Sequence, residues 1–135
     1  MADLLYPLGK EAILNGDIDI DTDTIKVAAV DLTADYTYSA AHQFKSSVTS
    51  YTGSTDATIA SITKTSGTVD AADLSPAFSS LAQSASKTIG ALVIYKDTGN
   101  AATSPLIAYI DLTTPVTPNG GDINITWNAS GIFAI

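Results

Sequence analysis

Four consecutive pieces of the chain decide the fold: Thr88-Ile-Gly-Ala-Leu-Val-Ile-Tyr95, Lys96-Asp-Thr-Gly-Asn-Ala-Ala-Thr-Ser-Pro105, Leu106-Ile-Ala-Tyr-Ile-Asp-Leu112 and, after a break, Asp122-Ile-Asn-Ile-Thr-Trp127. The first, third and fourth are rich in β-branched and aromatic residues. The second is a polar connection interrupted by Gly99 and Pro105, and residues 115–121 (Pro-Val-Thr-Pro-Asn-Gly-Gly) make a second interruption. Apolar runs of this length bounded by Gly, Pro, Asn and Asp read as three strands joined by turns, with Asn119-Gly120 as a tight-turn pair. Period-two alternation turns one set of side chains toward a core. With the first upstream strand included, that set is Ile25, Val27, Leu92, Ile94, Ile107, Tyr109, Ile123, Ile125 and Trp127.

Working outward, Ile25-Lys-Val-Ala-Ala-Val30 is the first strong strand, residues 56–65 a second, and residues 67–72 a third. Residues 4–15 have Leu5, Leu8 and Ala12 at helical spacing, Asp3 placed as N-cap, Pro7 in the first turn and Gly16 as a stop. Residues 33–38 read as a turn, and Ser39 is placed to cap a short helical turn through Ala40, Ala41, His42 and Phe44. Residues 74–86 suit either a helical turn or an irregular loop. Roughly seven strands with one or two short helices, and no βαβ alternation, predict an all-β chain with a minor helical part. The expected architecture is a single domain over residues 1–135: an antiparallel β-sandwich or small barrel with a short N-terminal helix.

Hydrophobic residues make up 45% of the chain, too many for a disordered segment. Charged residues are only 15%, against roughly 25% in ordinary soluble domains, and Ser and Thr fill the difference. Hydroxyls are cheaper to desolvate than charges, so this surface suits contact with other protein. The net charge is −8 and arginine is absent. Nucleic-acid binding needs a basic patch, and six scattered lysines among fourteen acids do not provide one. Without cysteine, disulfides and thiolate metal sites are excluded. No signal-peptide pattern and no apolar run of about 18 residues is present, so no membrane partner is expected.

Candidate chemistry is sparse. Asp17, Asp19, Asp21 and Asp23 are the sharpest polar series. On a strand, alternate residues share a face but stand roughly 6.5–7 Å apart, too far to converge on Ca²⁺. An EF-hand loop would need Gly and Glu where Thr22 and Ala28 stand. These four are therefore weak metal candidates, and a solvent-facing strand edge is the preferred reading. His42 is the sole histidine and no G-x-S-x-G elbow accompanies it. Glu11 is the sole glutamate, which excludes a two-Glu site within one subunit. Residues 118–121 lead into a strand without a following Lys-Ser/Thr, so they are not a phosphate loop. No enzyme activity, cofactor or required metal is expected.

The segments ALVIYKDTG (91–99), SPLIAYIDL (104–112), VTPNGGDINITWNASGIF (116–133) and DTDTIKVAAVDLTADYTYSAAHQF (21–44) resemble a family of small virion-associated proteins of tailed double-stranded DNA bacteriophages. The resemblance runs from about residue 5 to residue 135 and is weakest over residues 46–86. It implies a structural part of the particle and brings no catalytic residues with it. Together with the acidity, it implies a capsid decoration (cement) protein on the outer surface of the virion. The expected partners are the major capsid protein and copies of the chain itself, after synthesis in the bacterial cytoplasm. The alternatives are a tail or neck component, a carbohydrate-binding β-sandwich using Tyr and Trp platforms, and a small hydrolase. Leu4, Leu5, Tyr6, Tyr36, Tyr38 and Phe44 are the candidate interface residues.

Overall fold

The computed structural model describes residues 4–135. In chain order the strands and the helix are β1 (Leu4–Leu5), α1 (Pro7–Asn15), β2 (Ile25–Val30), β3 (Ala57–Thr58), β4 (Thr63–Thr65), β5 (Thr68–Asp70), β6 (Leu74–Phe78), β7 (Ile89–Lys96), β8 (Leu106–Val116), β9 (Ile123–Ile125) and β10 (Phe133–Ala134). They form three antiparallel sheets: β1-β8-β7-β2-β3, β10-β5-β4 and the ribbon β6-β9. The chain is β-rich with one short helix, as its strand-and-turn pattern predicts.

The β7–β8 hairpin and β2 make the centre of the large sheet, and both of its faces are buried. Ile25, Val27, Ala29, Leu92 and Ile94 pack on one side with Phe78, Ile125, Trp127 and Ile132 from the smaller sheets and the C-terminal segment. Ala28, Val30, Ala91, Val93 and Tyr95 pack on the other with Tyr6, Tyr36 and Val48. Burial on both faces explains why β7 reads as a continuous apolar run rather than as strict alternation.

The expected core holds, with one change of side and one of depth. Alternation puts Ile107 and Tyr109 on one face, yet they pack on opposite faces. The ladder runs Ile94↔Ala108 and then Tyr95↔Leu106, so Ile107 is an extra, bulged residue that inverts the parity. Ile123 is half-buried and packs at the edge of the first cluster.

The bulge also docks the N-terminal segment. The Tyr6 amide donates to the Ile107 carbonyl (3.0 Å), and α1 begins there with Pro7 in its first turn. Residues 4 and 5 are thus strand, not the start of the helix. The proposed Asp3 cap lies outside the described residues; Tyr6 occupies the N-cap position and makes no side-chain capping bond. Gly16 ends α1 in the left-handed region (φ 83°), as expected. Gly9 is the closest approach: a Cβ there would lie 2.3 Å from the Leu106 carbonyl oxygen.

Four other expectations change. Residues 56–65 split into β3 and β4, which belong to different sheets, with Ser61 at φ 55° between them. Residues 39–44 form a turn in which the Ser39 hydroxyl accepts the Ala41 amide, and the short 3₁₀ turn falls later, at Lys45–Ser47. The first part of residues 74–86 is strand β6. The third C-terminal strand does not extend the hairpin: β9 leaves the large sheet and pairs with β6.

Candidate functional site

The aromatic cluster expected at a surface is largely interior. Tyr6 and Tyr36 are buried, so in this fold they have almost no surface to offer a partner, whereas Leu4, Leu5, Tyr38 and Phe44 are half-buried. The Tyr6 and Tyr36 hydroxyls lie 2.8 Å apart, and the Tyr36 hydroxyl lies 2.8 Å from His42 Nδ1. If Tyr6 donates to Tyr36 and Tyr36 donates to Nδ1, neither buried hydroxyl hydrogen lacks an acceptor. That direction places the imidazole proton on Nε2. Burial, then the bond to Tyr36, raises the Tyr6 hydroxyl far above the ordinary tyrosine range. Tyr38 rests against Tyr6 and Tyr109 with ring centroids 5.2 and 5.3 Å away. The histidine is therefore the end of a structural hydrogen-bond chain.

Two carboxylates anchor the loops over this face. Asp31 follows directly on β2. Its Oδ1 accepts the Thr33 and Ala34 amides (both 2.8 Å), and its Oδ2 accepts the Thr88 amide (2.9 Å). The Ala34 bond leads the causes that hold the Asp31 carboxyl below the usual aspartate range. Beside it, Asp35 takes Lys87 Nζ at 2.6 Å, and Lys87 also lies 4.8 Å over the Tyr51 ring. Asp56 accepts from the Tyr95 hydroxyl (2.6 Å) and the Ser50 hydroxyl (2.7 Å). Burial, then this bond, raises Tyr95. Sequence reasoning missed both anchors, although Asp31-Leu-Thr33 after an apolar run carries a recognisable Asx-turn signal.

The Asp17–Asp23 series is a turn and not a strand edge. The Asp19 carbonyl accepts the Thr22 and Asp23 amides, and the Asp23 carboxylate accepts the Asp19 amide (2.7 Å). Asp19 Oδ1 is taken by the Asp21 amide, which leads the causes that lower its pKa. Asp21 pairs with Lys64, and Asp23 pairs with Lys96 at 3.1 Å. Asp19, Asp21 and Asp23 are thus each engaged by a different partner. Among the described residues no group of three His, Cys, Asp or Glu converges as a metal site.

Among the described residues five lysines pair with aspartates: Lys26 with Asp97, Lys45 with Asp56, Lys64 with Asp21, Lys87 with Asp35 and Lys96 with Asp23. The net −8 falls to the remaining carboxylates. Among the described residues no helix is long and apolar enough to cross a membrane.

An apolar cleft of about 250 Å³, unanticipated from sequence, lies between the end of the β7–β8 hairpin and the β6–β9 ribbon. Phe78, Leu112, Val116, Ile125, Trp127 and Ile132 line it, with Asn124, Thr126 and Asn128 as polar neighbours and no ionisable side chain. Trp127 is fixed in the wall: its amide donates to Asp73 Oδ1 (2.9 Å) and its indole Nε1 to the Ala72 carbonyl (3.1 Å). Such a site binds by shape and apolar contact and supplies no acid, base or nucleophile. No family model, curated protein or solved structure matches this chain.

Proposed function

We propose that this protein is a non-enzymatic structural subunit of a tailed-phage virion, a decoration protein seated on the outside of the major capsid lattice. The charge distribution is the observation that carries the reading. Five lysines are tied to aspartates within the fold, so the surplus charge is carboxylate, which suits a surface facing away from packaged DNA. The segments that resemble the virion family supply β2, the β7–β8 hairpin and β9. The buried hydroxyls and carboxylates described above bond to the fold's own backbone and side chains, which suits a rigid block better than a reaction centre. All six tyrosines, three phenylalanines and the tryptophan are at least half-buried, so no exposed aromatic platform favours the carbohydrate reading.

Particles assembled without this chain should release DNA at a lower temperature than complete ones, and added purified protein should restore the difference. Equal release temperatures with and without the chain would defeat the proposal.

A further inference from the structure

We propose that the apolar cleft receives an extended segment of a protein partner, one that presents a large apolar side chain flanked by Lys or Arg. This deepens the structural-subunit reading, and rests on it only in taking the partner to be a protein. At about 250 Å³ the space exceeds the roughly 150 Å³ at which an engineered apolar cavity already takes up benzene. Its wall atoms lack dispersion partners on the open side, and its few amide and hydroxyl neighbours would hold water poorly. An aliphatic or aromatic side chain supplies the missing contacts.

The extended form follows from the strand beside the cleft. The β7–β8 register slips between the Ala91↔Asp111 and Ile89↔Val116 pairs, so residues 112–115 bulge out of the ladder. Among the described residues, pairing from β1 reaches only Ala108 and Tyr109. Thr113 and Thr114 are exposed, and Val116, 37% exposed, stands at the mouth. Among the described residues no ladder pair includes residues 112–115, and an added strand would supply one.

The flanking charge follows from complementarity. Asp73 is bonded to the cleft residue Trp127, and Asp122 immediately precedes the cleft residue Ile123. In a chain of net −8 these acids repel an acidic segment and favour a basic one.

The test is selection of random short peptides, displayed in a library, on the purified protein. The expected consensus is an apolar anchor between basic residues. A synthetic peptide of that consensus should shift Trp127 fluorescence. It should lose at least about tenfold in affinity when its anchor becomes Ala, or when the protein carries Val116→Asp or Thr114→Pro. Both variants change exposed positions, and an unchanged circular dichroism spectrum confirms their folding. The proposal is overturned if no consensus emerges, if the consensus is acidic, or if neither variant weakens binding. Sedimentation showing a dimer abolished by Val116→Asp would make the occupant a second copy and would also overturn it. A negative selection leaves the virion location standing, and absence from the virion leaves a positive selection standing.

Discussion

The two faces of the central sheet are buried by different means. One is covered largely by strands and is mainly aliphatic, with Tyr51, Phe78 and Trp127 among its members: Val27, Leu92 and Ile94 pack there with Ile125 and Ile132. The other is covered by the N-terminal segment and the loops after β2, and carries tyrosines whose hydroxyls must be satisfied: Tyr6, Tyr36, Tyr95 and Tyr109. The aliphatic face depends on volume and leaves an open cleft at its rim. The tyrosine face depends on hydrogen bonds, and Asp31, Asp56 and His42 supply them. Loops can bury a sheet only when their own polar groups are paired, so the second face carries the polar network.

This contrast predicts that truncation hurts most on the aliphatic face. Ile94→Ala should cost about 4 kcal/mol, read as a fall in urea midpoint. A loss below about 1 kcal/mol would mean that this face relaxes around cavities far more than its packing suggests. At the bulge that joins the N-terminal segment to the sheet, Gly9→Ala should cost about 3 kcal/mol, because the new methyl meets backbone rather than a movable side chain. A neutral Gly9→Ala would show that α1 does not pack as closely as described.

On the tyrosine face, a smaller but chemically specific loss is expected. Tyr36→Phe removes the acceptor of the buried Tyr6 hydroxyl and should cost about 2 kcal/mol. Adding Tyr6→Phe should recover part of that loss, since no buried donor is then left alone. Strict additivity in this double-mutant cycle would break the claimed coupling.

The smallest effect at neutral pH and the clearest with acid belongs to Asp31. Its carboxyl is held ionised below the pH at which an unfolded aspartate takes up a proton. Its contribution is therefore complete above about pH 4 and is lost as the pH falls through the lowered native value. The Asp31→Asn protein should lose less stability than the wild type between neutral and acid pH in paired thermal melts. Parallel acid limbs would remove Asp31 as the anchor.

The two faces were also unequally legible. Apolar density located β2, β7 and β8, and alternation located most of the core. Alternation could not see the Ile107 bulge, because parity depends on a pairing register that a single strand does not carry. Local spacing put residues 4 and 5 in the helix, whereas pairing of β1 with Ala108 and Tyr109 claims them as strand. The Asp17–Asp23 alternation resembled a strand edge, but Asp side chains compete for nearby amides and close a turn instead. Tyr6, Tyr36 and Tyr38 read as interface candidates because they sit outside the strong strand segments. Their burial comes from contacts across the fold, such as Tyr6 to Tyr36, that no local window contains. The cleft was invisible for the same reason: β6, β8, β9 and the C-terminal segment meet only in three dimensions.

The central claim, a structural subunit on the outside of a phage capsid, is tested most directly by cryo-electron microscopy of the purified virion. The account predicts density fitting this β-rich fold in repeated copies on the outer face of the capsid lattice, held by protein contacts. Density for the chain in the tail or inside the shell against DNA, or its absence from the particle, would contradict it.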